Sequence, residues 1–146
     1  MKSMKITNLQ VNRLFEPLGI STRNPVFSFK VEGKGYGEIK SVRIDVAADE
    51  TFKAIFFSET SSDISPNAFR LPYEFSGGIK YFWRVTVVND KDENASGQSF
   101  FECGRKNSEW DIPFITTATE NTGSTAFYCK FIAKSAVNAR LYITAL

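Results

Sequence analysis

The 146-residue chain contains no histidine and only two cysteines, Cys103 and Cys129. Without imidazole, the Ser-His-Asp and Cys-His nucleophile systems and histidine acid-base catalysis are excluded. The usual zinc sites, which need three or four Cys or His ligands, go with them. Two cysteines leave one disulfide open, Cys103 to Cys129; without a cysteine framework, the stronger reading is that both are small buried hydrophobes. Charge of one sign is lacking too: 18 basic residues are interspersed with 16 acidic ones, for a net charge of +2. That balance makes no field to concentrate nucleic acid or anionic membrane, and neither is expected as a partner. No run approaches the roughly 20 apolar residues that span a bilayer. The opening stretch MKSMKITNLQVNRLF also lacks the continuous apolar core of a signal peptide. As written the chain is expected in the cytoplasm, or in the periplasm or outside the cell if a leader had been removed.

What is present is a hydrophobic period of two. In PVFSFKVE, Phe27, Phe29 and Val31 fall on one face, with Ser28, Lys30 and Glu32 on the other. In KSVRIDVAA, Val42, Ile44, Val46 and Ala48 alternate with Ser41, Arg43 and Asp45; in KYFWRVTVVND, Tyr81, Trp83, Val85 and Val87 share a face. In SGQSFFECG, Phe100 and Phe101 straddle the pleat. ITNLQVNR, FKAIFFS and a short run from Phe69 to Tyr73 add weaker strands, about seven in all. Turn signals rich in Gly, Pro, Asn, Asp and Ser separate them: PLGIST, GKGYG, SSDISPN, SGG and NDKDENASG. No long stretch has a 3.6-residue apolar period. The expected fold is all-β, an antiparallel sandwich of immunoglobulin or fibronectin type III kind over residues 1–104.

After Gly104 the texture changes. A polar stretch broken by Trp110, Ile112, Phe114 and Ile115 leads to two further apolar-faced runs. Phe127, Cys129, Phe131 and Ala133 share a face in the first, and Ala139, Leu141, Ile143 and Ala145 in the second. A tail of this size cannot form its own core. Residues 105–146 are therefore expected to be a linker and the first strands of a truncated second β domain, a C-terminal β extension of the sandwich. An open strand edge of this kind is expected to lie against the sandwich or to pair with another copy of the chain.

Each motif that could carry chemistry has a plainer reading beside it. Gly33–Gly37, GKGYG, suggests a phosphate cradle, but it joins two strands and has no helix N-terminus, so it reads as a glycine-rich connection. Asp90, Asp92 and Asn94 alternate as calcium ligands do, yet Ala95 stands where the loop needs glycine, and the tip reads as a solvated hairpin. Asn94-Ala95-Ser96 is a glycosylation sequon of a very common form. The carboxylates show no spacing that singles out an acid pair, and surface solvation is their expected role. Trp83 reads as core; Trp110 reads as a plug between tail and sandwich, with an aromatic sugar platform as the alternative. No catalytic, substrate-binding or metal-binding residue and no cofactor is nominated.

The order of segments resembles the N-terminal region of bacterial α-L-rhamnosidases, which are glycoside hydrolases. The resemblance rests on LQVNRLFEPLGISTRNPVFSF, KSVRIDVA, YFWRVTVVNDKDENASGQSFFECG, SEWDIPFI and NARLYITAL, in that order. Phe29 and Phe114 stand where that family usually has Trp, and Cys103 where Thr is common. The resemblance implies a non-catalytic fibronectin-like accessory sandwich followed by the start of a second β domain, with catalysis in a helical barrel beyond this chain. It implies downstream domains of the same polypeptide as partners, and rhamnose-containing glycans as a further candidate. The alternative is a free-standing fibronectin-like or carbohydrate-binding module.

Overall fold

The computed structural model describes residues 4–110, 112–113, 115–116, 123, 126–132, 135, 141 and 143. Residues Met1–Asp111 form one compact unit and Ile112–Leu146 another.

The first unit contains the seven strands that the alternation predicts: β1 (Lys5–Val11), β2 (Val26–Glu32), β3 (Ile39–Ala47), β4 (Ile55–Ser61), β5 (Phe69–Arg70), β6 (Lys80–Asn89) and β7 (Asn94–Glu102). They form a three-stranded sheet, β1-β2-β5, and a four-stranded sheet, β4-β3-β6-β7, with every named pairing antiparallel. A 3-10 turn, Asn107–Glu109, follows, and no α-helix occurs among the described residues.

Alternation dictates which side chains meet. β6 is the clearest case: Tyr81, Trp83, Val85, Val87 and Asn89 are buried, with every residue between them half-exposed. Trp83 meets Phe27 of the opposite sheet edge-on at 4.8 Å, and Phe27 meets Phe101 at 5.6 Å. Phe75 closes that end against Phe101 at 5.1 Å and Tyr81 at 4.8 Å. Each such side chain contributes about 1.5–3 kcal/mol by leaving water, and edge-to-face rings add a smaller directional term. Phe101 is buried, while Phe100 faces outward under the Lys80 ammonium at 3.6 Å.

β3 departs from its expected pattern at one point. Ala47, not Ala48, is buried, because the register against β4 shifts between Val46 and Ala47. A bulge inserts one residue, so every later side chain changes face. β1 holds a similar irregularity between Thr7 and Gln10, where Asn8 takes a left-handed φ of 53°.

In the second unit, the described residues 126–132 carry neither strand nor helix where the alternation predicts one. Phe127 and Phe131 are exposed, as are Leu141 and Ile143. Ala133, Ala139 and Ala145, from the same two predicted strands, lie outside the described residues.

Candidate functional site

At the end of the sandwich where β7 stops, three segments distant in sequence meet. The Pro17–Ile20 turn runs along the strand end: the Glu102 N–H donates to the Pro17 carbonyl (2.8 Å), and the N–H groups of Gly19 and Ile20 donate back to the Glu102 carbonyl (2.9 and 3.1 Å). Gly104 continues the ladder by donating to the Ile20 carbonyl at 2.9 Å. The two backbones come so close that a Cβ on Gly104 would stand 3.0 Å from the Gly19 carbonyl oxygen. Glycine at 104 follows from that approach. The third segment joins through Phe75, whose N–H donates to Thr22 at 2.8 Å, and through Gly78, whose N–H donates to Cys103 at 2.8 Å.

Between them lies a groove of about 520 Å³ whose walls include Ser21, Arg23, Glu74, Arg105 and Lys106. Glu74 ties the walls together, with Lys106 Nζ at 2.7 Å and Arg23 Nε at 3.5 Å. The Lys106 ammonium, bonded to the carboxylate, and then the Arg23 charge hold Glu74 below the usual carboxylate range. It is therefore ionised at neutral pH, with no proton to give. Glycosidic hydrolysis needs a carboxyl raised enough to act as acid, opposite a second carboxylate. Glu74 is the one carboxylate lining this groove. The groove is built for recognition by charge and hydrogen bonds.

The motifs weighed from sequence take structural places. The Gly33–Gly37 loop joins β2 to β3 and is stitched to the β6–β7 turn: Asn89 Nδ2 donates to the Tyr36 carbonyl, and Lys91 Nζ donates to the Gly35 carbonyl at 2.7 Å. Of the calcium-like triplet, the Asp90 carboxylate accepts the Glu38 N–H at 3.2 Å, Asp92 pairs with Lys40 at 2.9 Å, and Asn94 opens β7. No group of three or more His, Cys, Asp or Glu that could hold a metal lies among the described residues. Trp83 is fully buried, and its Nε1 has no hydrogen-bond partner. Trp110 is one-third exposed. Cys103 is a buried free thiol, pushed up to about 11 by burial and then by the Glu102 charge, whereas Cys129 is free and exposed.

Sequence reasoning missed two polar residues that organise the unit. Asp45, expected on a solvated face, is 1% exposed, and accepts from Arg84 (2.9 Å), Arg43 (2.8 Å) and Ser58 (2.8 Å). Asn89 is fully buried; besides Tyr36, its amide donates to Glu93 Oε2 (2.9 Å), while its Oδ1 accepts the N–H groups of Lys91 (3.1 Å) and Glu93 (2.8 Å). The signal for Asn89 lay in the period itself, since it continues the buried series of β6 at an amide instead of a hydrophobe.

Three strands facing four around one aromatic core define an immunoglobulin-like β-sandwich. Within that class the chain belongs to the family described as Rha78A-like, N-terminal immunoglobulin domain, which matches residues 6–107. Among solved structures it is similar to an α-L-rhamnosidase from Dictyoglumus thermophilum, at 19% identity and a TM-score of 0.60 over 73% of this chain and 13% of that one. It is also similar to the Streptomyces avermitilis α-L-rhamnosidase complexed with L-rhamnose, at 19% identity and a TM-score of 0.62 over 75% of this chain and 11% of that one. At that identity the likeness carries the fold, and the chain spans only about an eighth of either enzyme. No curated protein sequence matches the chain at a significant level.

Proposed function

We propose that this chain is the non-catalytic N-terminal accessory region of an α-L-rhamnosidase-type glycoside hydrolase, a rigid sandwich that packs against and positions other domains of the same polypeptide. The observation that supports it most is the family membership across residues 6–107. The groove agrees with it, because its one carboxylate is held ionised by two cations and cannot serve as a general acid. Residues 105–146 then act as a linker leading into a second β domain. The finer fibronectin type III label is supported by β4, which pairs with β3; the constant immunoglobulin arrangement places its fourth strand beside the fifth.

The test is an assay of the 146-residue chain with a chromogenic α-L-rhamnoside over a long incubation. No turnover above buffer is expected; enzyme-dependent hydrolysis that survives repurification would overturn the proposal. Calorimetric titration with rhamnose-containing oligosaccharides decides between a scaffold, which gives no heat of binding, and a carbohydrate-binding module, which gives a saturable isotherm.

A further inference from the structure

We infer that the loop Asn12–Leu18 is a self-docking surface through which two copies of this chain pair about a two-fold axis. Three large apolar side chains stand out on this one loop: Leu14 is 54% exposed, Phe15 62% and Leu18 66%. Scattered exposed hydrophobes are ordinary, but three within five residues form a patch.

The loop is also held in place. Val11 and Leu14 exchange backbone hydrogen bonds at 3.0 Å, the Asn12 N–H donates to the Val26 carbonyl at 2.7 Å, and Asn12 Oδ1 accepts the Val26 N–H at 2.9 Å. Its far end is tied through the Pro17 carbonyl to Glu102. Within this frame Asn12, Arg13 and Glu16 all take left-handed φ values, of 52°, 65° and 44°. Arginine and glutamate rarely occupy that region, and such strain persists where the surroundings over-determine it, which is characteristic of binding loops. A rigid apolar projection loses little entropy when it docks.

The charges flanking the patch select the occupant. The loop reads Arg13-Leu14-Phe15-Glu16, a basic residue, two apolar ones and an acidic one. When two such segments meet antiparallel, Arg13 of each copy faces Glu16 of the other, and Leu14 faces Phe15. That is the self-complementarity an isologous interface requires, residue i meeting j while j meets i. Neither Arg13 nor Glu16 forms an ion pair within the chain among the described residues. Both charges are thus available to a second copy. Three side chains a side make a patch below the roughly 1,200 Å² of standard interfaces, so the pairing is weak and concentration-dependent.

Sedimentation velocity on the full 146-residue chain, from about 10 μM to 1 mM, tests this in the range where a small interface assembles. A reversible dimer is expected, lost in Phe15→Ser. Arg13→Glu alone and Glu16→Arg alone each place like charges opposite one another and should weaken dimerisation at least about tenfold. Mixing the two variants in equal amounts restores both opposite-charge contacts and should restore the dimer. Thermal unfolding of each variant verifies that it is folded; Leu18→Ser, which leaves the left-handed positions untouched, replaces any that is not. A chain monomeric throughout, a dimer indifferent to the substitutions, or folded charge variants that fail to recombine would each overturn the inference.

Discussion

The Asp45 carboxylate is the residue on which acid stability turns. Burial pushes its pKa up, yet the hydrogen bonds from Arg84, Ser58 and Arg43 together outweigh that, and the net shift is downward from 3.8. A group depressed in the folded state binds its proton more readily when unfolded. Its stabilisation is therefore complete above about pH 4 and fades as pH falls through the lower folded value. Asp45→Asn should flatten the acid limb of a plot of melting temperature against pH. At neutral pH the substitution should cost about 1–2 kcal/mol, because the two arginines left behind are only partly buried and water screens them. Urea unfolding at pH 7 and pH 3 checks both; an acid limb as steep as that of the parent would refute the assignment. Asp49 behaves alike at the 49–54 turn, where the Thr51 hydroxyl and then the Ala54 N–H lower it to about 2. Neither role was visible in the sequence, because Arg84 meets Asp45 from 39 positions away, while period-two logic sends every residue between hydrophobes to solvent.

At the scale of elements, the sequence was most readable where one face of a strand is apolar. Phe27 and Phe29 of β2, Val42 to Val46 of β3 and Tyr81 to Val87 of β6 lie where alternation places them, because a pleated strand offers a side chain only two directions. The bulge at Val46 and Ala47 left no mark in composition, so Ala48 was put on the wrong face. The run from Phe69 to Tyr73 shrinks to the two-residue β5, since Leu71 turns its N–H away to the Pro25 carbonyl at 3.1 Å. The groove was illegible for a different reason: Arg23, Glu74 and Lys106 become neighbours only after both sheets have formed. Connections follow the same division. Gly37 was read as a flexible turn residue, but its φ of +83° and the Asp90 carboxylate packed against its Cα leave no room for a Cβ. Gly37→Ala should destabilise the unit by about 1–3 kcal/mol, measured as a fall in the urea midpoint at unchanged slope. A neutral result would mean that the β2–β3 loop relaxes freely.

For the molecule as a whole, the division at Asp111 makes residues 1–111 the cooperative unit. A chain ending at Asp111 should unfold in one transition at the temperature of the sandwich transition in the full chain, as followed by calorimetry. A broad or markedly lower transition would show that residues 112–146 complete the core. The resemblance noted in the sequence reached the family without reaching the groove, because order and spacing of strands report a fold, whereas a site is reported only by the side chains that line it. One feature of the core also has an optical consequence. The chain has two tryptophans; Trp83 lies sealed among Phe27 and its neighbours with an indole N–H that meets no acceptor, while Trp110 is one-third open to water. An indole without polar contacts emits at shorter wavelength than a hydrated one, so the protein carries its own two-colour reporter: the blue component reads the integrity of the sandwich, and the red component reads the segment that leaves it.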